Sequence, residues 1–302
     1  MPELPDVELY LAALRSHVGG RTLNRARLAS PFLMRTVTPA LNALHGRRVN
    51  GFERIGKRIV WQFEGDLFAV FHLMIAGRFR WREPGAAIPG KVGLLALDFD
   101  EATLLLTEAG SRKQASLHIV EGREALSALD PGGTEISSLS LDAFAHLLRL
   151  ENHTLKRALT DPRLFSGIGN AYSDEILHAA RLSPLKLTET LSDTETETLY
   201  RATVDVLDRW TRRLIEENGD AFPEKVTAFR EGMAAHGRFG KPCPVCGTAI
   251  QRIVYAHNEA NYCPACQTGG RLLADRALSR LLKNDWPSSL EALERATAKR
   301  RR

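Results

Sequence analysis

The four cysteines of the chain form two C-x-x-C pairs, Cys243 with Cys246 and Cys263 with Cys266, separated by sixteen residues. Such pairs are typical of a four-thiolate zinc site on a β-hairpin, where each knuckle supplies two ligands at tetrahedral angles. Two disulfides or a redox pair are weaker alternatives, because nothing in the sequence indicates export and a redox motif needs no second pair. We therefore expect one structural Zn²⁺, since four thiolates fill its coordination positions.

Composition indicates a globular protein that binds nucleic acid. The 302 residues are 44% hydrophobic and 25% charged, and they suffice for more than one domain. Residues 238–302 hold 12 Lys and Arg against 5 Asp and Glu, a balance of +7 within a net charge of +5. A basic segment around a zinc hairpin favours phosphate binding. No apolar run is long enough to span a membrane and no signal-peptide pattern is present, so we expect a cytoplasmic protein without membrane contact.

Hydrophobic periodicity predicts an α+β multidomain fold. Residues 2–133 begin with a helix and continue as short strands, at 58–63, 67–73, 78–81, 92–99 and 103–107, which predict a two-layer antiparallel β-sandwich. Residues 134–236 are helical, with Ser140 as an N-cap and a long helix over 193–218. The zinc-finger hairpin occupies 237–270. A basic extension at 271–302 includes an amphipathic stretch over 272–282.

The N-terminal sequence Met1-Pro2-Glu3 indicates a nucleophile. Removal of Met1, which is usual before a small residue, leaves Pro2 with a free secondary amine. An α-amino group titrates near pKa ~8, against ~10.4 for lysine. Part of it is therefore unprotonated at neutral pH and able to attack a sugar C1′ to form an iminium, with Glu3 as a candidate proton carrier. Taken alone, this sequence favours a different interpretation, in which Pro2 and Pro5 only shape the start of the helix.

A second motif, Gly167-Ile168-Gly169-Asn170, leads directly into a predicted helix. Backbone N–H groups at the positive end of a helix dipole form a phosphate site. Asn170 is expected to cap this helix and to reach a phosphate oxygen. The motif alone favours a plain turn between helices, but together with the zinc hairpin and the basic C-terminal segment it favours binding to a DNA or RNA backbone.

Four motifs together resemble the formamidopyrimidine-DNA glycosylase and endonuclease VIII family. They are the sequence PELPDVE at residues 2–8, IGKR at 55–58, GIGNAY at 167–172 and the cysteine pattern at 243–266, in the order and spacing of that family. The resemblance implies an N-terminal β-sandwich, a helix-two-turn-helix domain and a zinc-finger hairpin, with DNA held between the halves. It also implies bifunctional base excision, in which a damaged base is removed and the strand is nicked at the abasic site.

The resemblance also implies roles for individual residues. Pro2 is the iminium-forming nucleophile, Glu3 is its acid/base partner, and Lys57 assists phosphate binding and elimination. Lys156 and Asn170 hold phosphates. The expected partner is damaged double-stranded or single-stranded DNA, bound by a monomer that flips the damaged nucleotide out of the stack.

Two positions depart from the family pattern. Asn258, followed by Glu259, stands where the family places a phosphate-clamping arginine on the hairpin. In the β-domain, Ile75 or Met74 stands at the position of the family's void-filling methionine, and residues 107–114 lack its phenylalanine. The lesion and the opposite base are therefore not predicted. An abasic-site lyase that has lost base excision and a non-catalytic zinc-hairpin nucleic-acid-binding protein both remain as alternatives.

Overall fold

The computed structural model describes residues 1–255 and 258–273, together with Ser289 and Ala292. Its helices are α1 (Leu4–His17), α2 (Arg123–Ser127), α3 (Leu141–Arg149), α4 (Leu155–Thr160), α5 (Asn170–Ala179), α6 (Asp193–Asn218) and α7 (Pro264–Thr268). Its strands are β1 (Thr22–Leu23), β2 (Arg25–Leu28), β3 (Arg47–Ile55), β4 (Arg58–Phe63), β5 (Leu67–His72), β6 (Gly77–Arg82), β7 (Gly93–Asp98), β8 (Thr103–Glu108), β9 (Ser116–Glu121), β10 (Gln251–Tyr255) and β11 (Asn258–Tyr262). The chain divides into two compact units, residues 1–132 with 208–228, and residues 133–207 with the described residues after 228.

Two antiparallel sheets form the body of the first unit. One has the strand order β1-β3-β4-β5-β9 and the other β2-β7-β8-β6. Aromatic side chains from both sheets meet in the core: Trp61 and Phe71 of the first sheet lie 6.4 and 5.3 Å from the ring of Phe79 in the second. These three rings are almost fully buried. Aromatic burial of this kind stabilises the two-layer sandwich that the strand pattern predicts.

The segment that follows α6 packs against the same sandwich. The ring of Phe222 stacks on Trp81 with centroids 5.8 Å apart, and Glu224 accepts hydrogen bonds from Arg80 at 2.6 Å and Arg82 at 2.7 Å. These contacts explain why residues 208–228 belong to the first unit although they follow the helical region in sequence.

The second unit is built from helices and the zinc hairpin. Ser140 caps α3 by accepting a hydrogen bond from the Ala143 N–H, as predicted. Phe144 of α3 packs on Phe165 at 4.9 Å, and α4 and α5 flank the turn that contains Gly167. Helix α5 is buried along most of its length, from Ala171 to His178. The strands β10 and β11 pair in antiparallel register from Gln251 with Tyr262 to Tyr255 with Asn258.

The structure confirms the predicted fold class. The five predicted strands agree with the observed ones to within one residue at each end, and α6 covers the predicted residues 193–218. The domain limits proposed from the sequence stay predictions. The amphipathic stretch over 272–282 and the basic extension lie, beyond Leu273, almost entirely outside the described residues. Among the described residues, no helix is both long and apolar enough to cross a membrane.

Candidate functional site

The N-terminus of the chain is held against the first unit. Pro2 and Glu3 are buried, and Glu3 is the N-cap of α1. Glu3 and Asp6 form a reciprocal capping box: the Glu3 N–H donates to Asp6 Oδ2 at 3.0 Å, and the Glu3 carboxylate accepts the Asp6 N–H. The positive end of the α1 dipole favours a carboxylate at this place. Glu3 is therefore fixed directly beside the residue predicted to carry the reactive amine.

Lys57 lies at the tip of the hairpin between β3 and β4. Ile55 pairs with Arg58, so Gly56 and Lys57 form a two-residue connection, and Gly56 adopts the positive φ of +58° that such a turn requires. Burial lowers the pKa of the Lys57 ammonium, and the nearby Glu3 carboxylate acts in the opposite direction. The hairpin thus places a desolvated lysine next to Glu3.

Burial also lowers the pKa of the N-terminal amine, which Met1 carries in this structure. Glu3 opposes this shift, whereas the cations Arg78 and Lys57 reinforce it. An amine whose pKa is lowered is unprotonated, and hence nucleophilic, at a lower pH than an ordinary α-amine. The structure therefore brings Glu3, Lys57 and the N-terminus together, as predicted from the sequence, although their catalytic roles stay predictions.

Sequence reasoning did not identify two further residues of this cluster, His72 and Arg78. His72 ends β5 opposite Arg58, and burial together with the charges of Arg58 and Lys57 lowers its pKa to about 4. Its imidazole is therefore neutral at physiological pH. A histidine at a strand end, next to a hairpin lysine, is the signal that could have pointed to it. Arg78 follows the turn after β5, and its role is visible only once the strands are paired.

The turn from β5 to β6 presents one apolar side chain to solvent. Ile75 is 63% exposed, while Met74 is half-buried with a left-handed φ of +51°. Of the two residues considered for the void-filling position, Ile75 is the one that projects.

In the second unit, the Gly-x-Gly turn leads into α5, as predicted. The residue that caps the N-terminus of α5 differs from the prediction. The N-cap residue is Gly169, and Asn170 is the first residue of the helix, so the expectation that Asn170 caps α5 was wrong. Gly167 takes a φ of +80°, which a residue with a side chain rarely adopts, and this lets the chain turn sharply into α5. Asn170 is left half-buried at the helix N-terminus, where an anion would be stabilised.

Lys156 is joined to Asn170 by a buried polar network. Its Nζ donates to the Asn170 carbonyl at 2.6 Å and to Asp174 Oδ1 at 2.5 Å. The other oxygen of Asp174 accepts from His236 Nδ1 at 2.8 Å and from Asn261 Nδ2 at 3.4 Å. Asp174 is fully buried. The two predicted phosphate ligands are therefore neighbours, and one carboxylate links them to the segment before the zinc finger and to β11.

Glu175, the next residue of α5, fixes the segment before the zinc finger. Its carboxylate accepts backbone hydrogen bonds from Ala234 at 2.7 Å, Ala235 at 2.8 Å and His236 at 2.9 Å. Two adjacent acidic residues inside an otherwise buried helix were the sequence signal for this anchor, and sequence reasoning missed it.

The four cysteines converge into one site. Their sulfur atoms all lie within 4.8 Å of one another, with Cys243 and Cys266 4.0 Å apart and Cys246 and Cys263 3.4 Å apart. A tetrahedral zinc ion with Zn–S bonds of about 2.3 Å places its sulfurs about 3.8 Å apart. The donor set and its dimensions therefore fit one structural Zn²⁺, with all positions filled by protein.

The protonation of these thiols couples metal binding to pH. Hydrogen bonding by Thr248 lowers the pKa of Cys246 to about 6, whereas burial raises the pKa of Cys266 to about 11. Burial also raises the pKa of Cys263. Zinc must displace protons from the buried sulfurs, so its affinity falls as the pH is lowered.

Three family models match three successive parts of the chain. The family model described as "Formamidopyrimidine-DNA glycosylase N-terminal domain" matches residues 1–117, the model described as "Formamidopyrimidine-DNA glycosylase H2TH domain" matches residues 129–216, and "Zinc finger found in FPG and IleRS" matches residues 240–269. The formamidopyrimidine-DNA glycosylase of Thermus thermophilus is 32% identical in an alignment of 287 positions that covers 89% of this chain and 100% of that protein.

Solved structures show the same fold. Lactococcus lactis FPG, in a complex with DNA that contains an oxidized pyrimidine, superimposes with a TM-score of 0.79 at 25% identity and covers 88% of this chain and 100% of its own. A second Lactococcus lactis Fpg structure, with abasic-site DNA, gives a TM-score of 0.79 at 24% identity and covers 88% of this chain and 99% of its own.

We expect the purified protein to hold one equivalent of zinc. Cys263→Ser should unfold the hairpin and weaken DNA binding while leaving the sandwich folded, because a structural zinc site supplies folding free energy to its own module. Metal analysis, circular dichroism and limited proteolysis test this. Val254→Thr, a change at an exposed position of β10 that removes no ligand, serves as the matched control and should retain zinc. Absence of zinc, or thiols paired as disulfides, would contradict the assignment.

Proposed function

The chain belongs to the formamidopyrimidine-DNA glycosylase family, and from this premise we propose that it excises damaged bases from DNA and nicks the resulting abasic site. The family models and the 32% identical relative confirm the resemblance that the sequence motifs indicated. The observation that carries the chemical proposal is the buried chain start, where an amine of lowered pKa lies beside Glu3 and Lys57.

In the proposed reaction, the amine of Pro2 attacks C1′ of the damaged nucleotide once Met1 has been removed. The glycosidic bond breaks and the base leaves with its bonding electrons. The attached nitrogen then loses its proton, and the C1′–O4′ bond breaks with protonation of O4′, which gives an iminium at C1′. Glu3 is placed to exchange protons with the sugar during this step. Burial and the nearby cations favour the unprotonated form of the amine, which the attack requires.

Strand nicking follows from the iminium. The iminium withdraws electrons, so the C2′ proton becomes acidic, and its loss expels the 3′ phosphate by β-elimination. Lys57 faces this region as a desolvated cation that stabilises charge on the departing phosphate.

DNA binding is assigned to the second unit and to the turn at Ile75. The half-buried Asn170 at the N-terminus of α5 and the neighbouring Lys156 are proposed to hold phosphates of the damaged strand. Exposed Ile75 is proposed to fill the space that a flipped nucleotide leaves in the duplex. We further propose that the protein acts as a cytoplasmic monomer and accepts both double-stranded and single-stranded substrates.

The nucleophile is tested by borohydride trapping on abasic-site DNA, with mass spectrometry of the cross-linked peptide. We expect the cross-link on Pro2, strong slowing in Pro2→Gly, and none in protein that retains Met1, whose amine is displaced. Pro5→Ala, a change at the proline in the first turn of α1, is the matched control and should trap normally. Undiminished nicking by protein shown to keep Met1 would exclude this mechanism.

The pH dependence tests the environment of the amine. Burial lowers the pKa of the amine at the chain start below its ordinary value of 8.0, and the Pro2 amine is expected to share this environment once Met1 is removed. The trapping rate should therefore stay high at pH 8 and fall only as the pH drops below the lowered pKa. Arg78→Gln removes a cation that lowers this pKa, so the midpoint should move to higher pH. Arg82→Gln on the same strand is the control and should leave the midpoint unchanged. A midpoint that stays fixed, or moves down, in Arg78→Gln would refute the electrostatic assignment.

The residue at the arginine position of the hairpin supplies another test. Asn258→Arg offers charge-assisted hydrogen bonds to phosphate, worth ~1.5–3 kcal/mol, where asparagine offers neutral ones. Duplex affinity should then rise by about ten- to a hundredfold, since ~1.4 kcal/mol is tenfold. Excision from duplex should improve more than nicking of a preformed abasic site, which costs less to flip.

The control for that substitution is Gln251→Arg, which adds the same charge at the opposite end of the hairpin. It should change duplex binding much less than Asn258→Arg does. Equal effects of the two substitutions, or unchanged duplex binding in Asn258→Arg, would mean that the hairpin approaches DNA differently in this protein.

A further inference from the structure

A histidine outside the zinc finger contacts one of its cysteines. His178 lies in the last turn of α5, and its Nε2 is 3.2 Å from Cys243 Sγ. His178 is only 5% exposed and Cys243 only 3%. The two residues are 65 positions apart in the sequence, so the contact depends on how α5 packs against the first knuckle.

The direction of this hydrogen bond is set by the chemistry of a zinc thiolate. A zinc-bound cysteine sulfur carries no proton and can only accept, so the proton must be on His178 Nε2. Four thiolates around one Zn²⁺ leave a net charge of −2 in a partly buried site. Hydrogen-bond donors to sulfur disperse this charge, and donors from the second layer around a metal typically change its affinity by about 10- to 100-fold.

The backbone of the finger supplies further donors to sulfur. The Val245 N–H donates to Cys243 Sγ at 3.4 Å, and the Cys266 N–H donates to Cys263 Sγ at 3.4 Å. His178 differs from these because it is a side chain on a helix outside the zinc finger. Its helix is itself fixed by the three backbone hydrogen bonds that Glu175 accepts. The imidazole is therefore presented to the sulfur by a rigid element.

From these contacts we propose that His178 is a positioning residue of the metal centre. Its Nε2–H donates to the Cys243 thiolate, slows the release of zinc and shields that sulfur from electrophiles. An apolar residue in its place leaves a buried anionic acceptor short of a donor. The proposal concerns the metal and not the amine, so it stands or falls separately from the iminium mechanism.

The test compares zinc release from full-length holoprotein to a chromophoric chelator. His178→Phe removes the donor at similar volume and should accelerate release by about 10- to 100-fold. His178→Gln keeps an N–H donor of similar reach and should restore most of the wild-type rate. Ile176→Val, a buried packing change on the same helix, is the matched control and should release zinc at close to the wild-type rate.

Two further measurements separate hydrogen bonding from a general loosening of the fold. In the Co²⁺-substituted proteins, the sulfur-to-cobalt charge-transfer band should shift in His178→Phe and keep its wild-type position in Ile176→Val. In the zinc proteins, alkylation by iodoacetamide should increase at Cys243 more than at Cys246 when the donor is lost. Peptide mass spectrometry reads out both cysteines in one sample.

The proposal would be overturned if His178→Phe kept the wild-type release rate and cobalt spectrum. It would equally be overturned if His178→Gln released zinc as fast as His178→Phe, because the donor would then be irrelevant. If His178→Phe is too unstable to purify with metal, recovery of slow release in His178→Gln supports the proposal and its absence refutes it.

Discussion

Burial of two adjacent carboxylates on α5 is the constraint on which the second unit depends. Asp174 is fully buried and Glu175 is 4% exposed. A carboxylate removed from water is costly unless hydrogen bonds and opposite charges replace its hydration. Asp174 therefore requires Lys156, His236 and Asn261, and Glu175 requires three consecutive backbone N–H groups. These requirements fix the position of α4, of residues 234–236 and of β11 around one helix.

In the first unit, the N-terminal amine lies near cations as well as carboxylates. Positive groups, Lys57 and Arg78, lie near the amine, and burial lowers the pKa of both the amine and Lys57. Like charges and desolvation each favour the neutral form of a basic group. Glu3 acts against both effects, and its place in the capping box prevents it from moving away. The pKa of the amine thus follows from its burial and from a balance between two carboxylates, Glu3 and Asp6, and two cations, Arg78 and Lys57.

The fold could be predicted closely because its signals are local. Strand alternation, the Ser140 cap and the C-x-x-C spacing each depend on a few neighbouring residues, and the observed elements agree with them. The cap of α5 was predicted wrongly because Asn is a common N-cap and Gly169 left no side-chain signal. His72, Arg78 and the partners of Asp174 could not be predicted, because their roles arise from pairing between residues distant in sequence. The contact between His178 and Cys243 is of the same kind.

The zinc site and Lys156, which is proposed to hold a phosphate, are connected through a short series of contacts within the second unit. Zinc fixes Cys263, which follows Asn261 and Tyr262 at the end of β11. Asn261 donates to Asp174, and Asp174 in turn holds Lys156 beside the N-terminus of α5. The contact from His178 to Cys243 joins the other end of α5 to the same metal site. The finger therefore contacts both halves of α5, the helix whose N-terminus faces phosphate in the proposed complex.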